Sequence, residues 1–115
     1  MTRRIFFDAS ALFAAAYSPT GAARELLRLG LEGRVALVTN QIAVEEAERN
    51  LQRKAPEDIA VFRALLAALP IVVNPAPTAE EIASVESVVV AKDAPILAGA
   101  LACQADYLAT FDRQH

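Results

Sequence analysis

The 115 residues amount to one short domain, and 14 acidic against 11 basic side chains leave a formal net charge of −3, too mild to mark a strongly anionic or cationic partner. Apolar residues make up 55% of the chain but aromatics only 6%, with 25 alanines, a composition for a compact helix-rich domain that excludes intrinsic disorder. No apolar run reaches the roughly 18 residues of a membrane span, a single cysteine excludes an internal disulfide, and a single histidine at position 115 excludes a Cys/His zinc cluster.

Arg4-Ile5-Phe6-Phe7 is a short apolar run ending in Asp8, the pattern of a buried strand whose last residue emerges at a sheet edge. With Arg3-Arg4 it imitates a secretory signal, but Asp8 interrupts the apolar stretch, so the segment is read as mature structure in a cytoplasmic protein. A helix begins near Ser10, and after the Pro19-Thr20-Gly21 break a second carries Ala23, Leu26, Leu27, Gly30 and Leu31 at helical spacing until Gly33. Val35 to Thr39 forms a second strand, and Asn40 caps a helix with Ile42, Ala43, Ala47 and Leu51 on one face. Pro56 falls in the first turn of a helix bearing Ile59, Phe62, Leu65, Leu66 and Leu69, and Pro70 hands over to the strand Ile71-Val72-Val73. Thr78-Ala79-Glu80-Glu81 is a capping box, and the helix it opens has no sharp end before Val88 to Val90. Asp93-Ala94-Pro95 opens the last helix, expected to turn Ile96, Leu97, Ala100 and Leu101 inward, with Cys103 as a small core residue. Tyr107 to Thr110 is the fourth strand, with Asp106 at its start as a structural acid and Asp112 just past its end.

Strands alternating with helices imply a three-layer α/β/α sandwich around a mainly parallel sheet, because parallel strands need long crossovers. Such sheets bind ligands beyond the carboxyl ends of their strands, where the strand order reverses. Asp8, Asp112, Asp93 and one of Glu45 or Glu46 are all placed to reach that edge. Singly, each also reads as local structure: Asp8 and Asp93 as helix caps, Asp112 as a turn residue, and Glu45, Glu46 and Glu48 as a solvated helix start. Jointly, carboxylates in one cleft repel and need a cation, and all-oxygen ligation selects Mg²⁺ or Mn²⁺.

Residues 5–12, Ile5-Phe6-Phe7-Asp8-Ala9-Ser10-Ala11-Leu12, resemble the opening of a PIN domain. Residues 91–100 and 105–112, from Ala91-Lys92-Asp93 to Thr110-Phe111-Asp112, resemble its closing motifs, and residues 42–51 its central helix. The resemblance runs in order along nearly the whole chain as a single domain, 1–115. It implies a metal-dependent ribonuclease, one of the VapC-type toxins of toxin–antitoxin pairs, that hydrolyses RNA phosphodiester bonds to leave a 5′-phosphate. Its acids fall on Asp8, Glu46, Asp93 and Asp112 as ligands of Mg²⁺ or Mn²⁺, with Ser10 and Thr110 beside them. Glu46 is preferred by its interval to Leu51 and Glu45 is the fallback, since neighbours on a helix point about 100° apart. Lys92 reads as a phosphate contact, a charge partner or a plain solvated lysine. The family continues past the Asp112 motif with a further strand, so a missing C-terminal strand is expected here.

RNA is the implied substrate, an antitoxin protein and a second copy of the chain are the implied partners, and no membrane is involved. A formal pI near 5.1 is low for a nucleic-acid binder, but four acids committed to metal turn the remaining balance to +1. An inactive PIN-like module that binds RNA or a protein is the alternative. A phosphoryl-accepting α/β domain is a third reading; its phosphatase form wants an acid where Ser10 stands, and its receiver form wants paired acids where Arg3 and Arg4 precede the strand.

Overall fold

The computed structural model describes residues 2–86 and 94–111. Its elements, in chain order, are β1 (Arg3–Phe7), α1 (Ala9–Tyr17), α2 (Ala22–Leu31), β2 (Val35–Asn40), α3 (Gln41–Lys54), a 3₁₀ turn (Pro56–Asp58), α4 (Ile59–Ala68), β3 (Ile71–Asn74), α5 (Ala79–Ala83), α6 (Ala94–Ala102) and β4 (Tyr107–Ala109). The four strands are parallel in the order β3-β2-β1-β4, so the chain adds β2 and β3 on one side of β1 and then crosses to place β4 on the other.

Alternation along the two central strands separates two apolar clusters. Ile5, Phe7 and Leu37 face α1 to α4 with Leu12, Leu27, Leu51 and Phe62, whereas Phe6 and Val38 face α6 through Ala100 and Cys103. A smaller cluster of Val85 and Ala98, with Ile82 and Leu97, joins α5 to α6. The result is the expected α/β/α sandwich with a parallel sheet.

Local chemistry accounts for most boundaries. Asp8 and Asn40 cap α1 and α3, each accepting a 2.9 Å hydrogen bond, from Ala11 N and Ala43 N respectively. The capping box is formed: Thr78 Oγ1 accepts from Glu81 N at 3.1 Å, and Thr78 N donates to Glu81 Oε1 at 2.8 Å. Asp106 is structural, as expected, because its Oδ2 accepts from Arg4 N and its own N–H donates to Arg4 O, both at 2.8 Å, which pins the start of β4 to β1. On the exposed face of α2, Arg28 pairs with both Glu25 and Glu32. Its hydrogen bond holds the Glu25 carboxyl below the usual carboxylate range, a contribution present at neutral pH and lost as pH falls through that lowered value.

Four expectations are corrected. Leu101 is 59% exposed, because α6 turns Ala98, Gly99 and Ala100 inward and leaves the next residue outside. Pro56 opens a separate 3₁₀ turn rather than α4 itself, and Leu31, at the end of the α2 apolar series, is exposed. The helix opened by the capping box ends at Ala83 and gives way to a turn over residues 84–86, short of the end expected near residues 88–90, which themselves lie outside the described residues.

Gly30 shows how closely α2 lies on the sheet: a Cβ there would stand 2.4 Å from both Cγ and Cδ1 of Leu37, itself fully buried. Gly30→Ala is therefore expected to lower stability by about 1–3 kcal/mol in urea unfolding, overpacking outweighing the roughly 1 kcal/mol of helix propensity gained. A stabilised variant would contradict this packing.

Candidate active site at the carboxyl edge of the sheet

The register that pairs Phe6 with Val38, Phe7 with Ala109 and Asn40 with Asn74 aligns the strand ends. Continued by one or two residues, it lines up Asn74, Asn40, Asp8 and Thr110 as one polar row across the carboxyl edge. Helices α1 to α4 cover one face and α6 the other, so the strand order reverses at β1, and the crevice between β1 and β4 is the switch point where such sheets bind ligands.

Asp8 occupies that crevice and is 4% exposed. Its Oδ1 is committed, accepting from Ala11 N at 2.9 Å and from Ser10 Oγ at 2.7 Å. Oδ2 receives no hydrogen bond from any described residue. A carboxylate oxygen can only accept, which commits the single Ser10 hydroxyl proton to Asp8. Ser10 Oγ in turn accepts from Phe111 N at 2.7 Å and lies 3.4 Å from Thr110 Oγ1, tying the end of β4 to the β1–α1 turn. From the other side, buried Thr39 donates its hydroxyl to Phe7 O at 2.7 Å and fixes the peptide next to Asp8.

The sequence pattern of the PIN domain family matches residues 4–114. The chain is a PIN domain. Its fold is similar to that of VapC20 of Mycobacterium tuberculosis, a toxin that cleaves the sarcin-ricin loop, with a TM-score of 0.66 over 94% of this chain and 89% of that one at 18% identity. A search of curated proteins finds no match.

Of the sequence-derived site residues, the structure brings together Asp8, Ser10 and Thr110. Glu46 is exposed on α3, about 9 Å along the helix from Asn40 at 1.5 Å per residue, and makes no ion pair or hydrogen bond with a described residue. Glu45 instead lines a groove with Glu48, Arg49, Gln52 and Arg63, in which Arg63 pairs with Glu48. Neither Glu45 nor Glu46 makes an ion pair or hydrogen bond with a described residue, and both are exposed. Asp93, Asp112 and Lys92 lie outside the described residues, and among the described residues no three acidic, cysteine or histidine side chains come together. The donor chemistry nonetheless fits a hard cation, because Asp8 presents a rigid carboxylate with one oxygen anchored and the other unclaimed.

In the sequence Asn40 reads only as a helix cap, and Asn74 carries no signal beyond following the apolar run Ile71-Val72-Val73. Their place in the polar row follows from register, and the available signal was that each ends an apolar strand, as Asp8 does.

Proposed function

We propose that this PIN domain is a metal-dependent ribonuclease that hydrolyses RNA phosphodiester bonds, the VapC-type toxin of a toxin–antitoxin pair. The observation that carries the reading is Asp8 at the switch point, with Oδ1 anchored and Oδ2 receiving no hydrogen bond from a described residue; family membership and the fold shared with a toxin that cleaves the sarcin-ricin loop support it.

In this reading Asp8, Glu46, Asp93 and Asp112 hold Mg²⁺ or Mn²⁺, with Ser10 and Thr110 completing the catalytic set. When bound, the ion supplies Lewis acidity, activating a water and offsetting charge on the leaving oxygen. The chain's own work is positional. Ala11 N and Ser10 Oγ lock the Asp8 carboxylate, and Ser10 together with Phe111 N keeps the β4 end, which leads into Asp112, beside it. An antitoxin partner, a homodimer and a cytoplasmic location belong to the same reading.

The test is incubation of the protein with structured and unstructured RNAs in Mg²⁺, Mn²⁺ or EDTA. Cleavage in either metal that EDTA stops, leaving 5′-phosphate ends, is the expected result. RNA bound but intact in both metals would replace this reading with the inactive binding module.

A further inference from the structure

We propose that Thr39 is a positioning residue of the site, its hydroxyl fixing the peptide unit that joins Phe7 to Asp8 and so the direction from which the Asp8 carboxylate meets an ion. The ion belongs to the ribonuclease reading, on which this part of the inference rests; the clamp on the peptide is independent of it. Along β2 the register with β1 ends where Phe6 pairs with Val38, whereas the register with β3 runs on through Thr39 with Val73 and Asn40 with Asn74. Where the first register stops, the Thr39 hydroxyl takes over, donating to Phe7 O at 2.7 Å. On the opposite side Asp8 N donates to Ala109 O of β4 at 3.2 Å. The Phe7 carbonyl and the Asp8 N–H are the two ends of one planar trans peptide, so β2 and β4 hold the same plane from either side. That plane sets where the Asp8 Cα–Cβ bond points, and the carboxylate beyond it is tied through Oδ1 to Ala11 N and Ser10 Oγ.

Burial in a strand does not by itself call for threonine here. Thr39 is fully enclosed, and valine has nearly the same shape with no hydroxyl to desolvate. What the hydroxyl adds is a donor for a carbonyl that sits next to Asp8. Thr39 is itself well held, in register with Val73 and with its own carbonyl 3.9 Å from Cys103 Sγ. It therefore belongs to the fixed body of the sheet and passes that rigidity to the first residue beyond β1.

The test compares Thr39→Val, which keeps the shape and loses the donor, with Thr39→Ser, which keeps the donor and loses a methyl group. Metal-free Tm, hydrogen exchange of the Asp8 amide by NMR and Mn²⁺ affinity by calorimetric titration are measured on the full chain. Both variants should lose about 4–8 °C in Tm, the first for an orphaned carbonyl and the second for a small cavity. They should part on the other two readouts. In Thr39→Val the Asp8 amide should exchange at least about 10-fold faster relative to those of Ile5 and Phe6 in the paired part of β1, and Mn²⁺ binding should weaken about 10- to 100-fold, as for other residues that hold ligands in place. Thr39→Ser should keep both within about 3-fold of wild type, because the donor remains. Equal losses in the two variants, wild-type values in Thr39→Val, or a Thr39→Val chain that no longer folds would give the hydroxyl to the fold alone and overturn the proposal. Wild-type protein that takes up no Mn²⁺ overturns the ribonuclease reading instead, and the Asp8 exchange rate then decides the Thr39 clamp by itself.

Discussion

Asp8→Asn should abolish metal-dependent RNA cleavage, by at least about 100-fold, with almost no change in Tm. The molecule contains its own control: Asn40 caps α3 through a 2.9 Å bond to Ala43 N, the same bond at the same distance that Asp8 makes to Ala11 N. Asparagine at position 8 therefore preserves the cap and the acceptor for Ser10. It replaces Oδ2 by an amide nitrogen, which donates where a cation needs a donor atom's lone pair. Losing several kcal/mol of metal-derived transition-state stabilisation corresponds to a hundredfold or more in rate. Asp8→Ala should be equally inactive but also about 1 kcal/mol less stable, because the cap goes too. Metal adds a second readout, since Mg²⁺ or Mn²⁺ at a hundredfold over its Kd should stabilise the wild type by about 2.7 kcal/mol and leave Asp8→Asn unmoved. Undiminished cleavage by Asp8→Asn would reduce Asp8 to a helix cap.

Phe62→Ala should cost about 3–5 kcal/mol and lower Tm by more than about 10 °C. Phe62 is the one fully buried residue of α4, and Leu65, Leu66 and Leu69 pack only partly against the same cluster. It already borders a small void of about 10 Å³ between Leu12, Ala15, Leu27 and Ile71. Truncation would enlarge that void in a region held by the rigid sheet, leaving little scope for collapse. With total stabilities of about 5–15 kcal/mol, a loss of this size approaches the whole margin. Calorimetry on the purified variant checks it, and a fall in Tm of only a few degrees would mean that α4 repacks freely.

The strands and caps were legible because each rests on short-range chemistry. Apolar runs closed by Asp8 or Asn40 read as buried strands in so short a chain, and Thr78 with Glu81 forms its box within four residues. The family and the layered fold followed from the same motifs. Leu101 was misread because α6 is apolar nearly all round, so periodicity could not say which side meets the sheet; the small residues Ala98, Gly99 and Ala100 decide it by allowing close approach. At the site, Asp8 was found from its place after a strand. The roles of Ser10 as a bridge to Phe111 and of Thr39 against Phe7 depend on contacts across 101 and 32 positions of sequence, which no local pattern encodes.

The bridge from Ser10 to Phe111 also fixes when the molecule can become competent. Protein synthesis runs from the amino end, and α1 to α4 can gather on β1, β2 and β3 while the remainder of the chain is still being added. The crevice itself closes only when β4, the last strand among the described residues, slots in beside the first. A nascent chain shorter than 111 residues therefore lacks one wall of its site, and the ribosome that is making it faces a protein with an incomplete cleft.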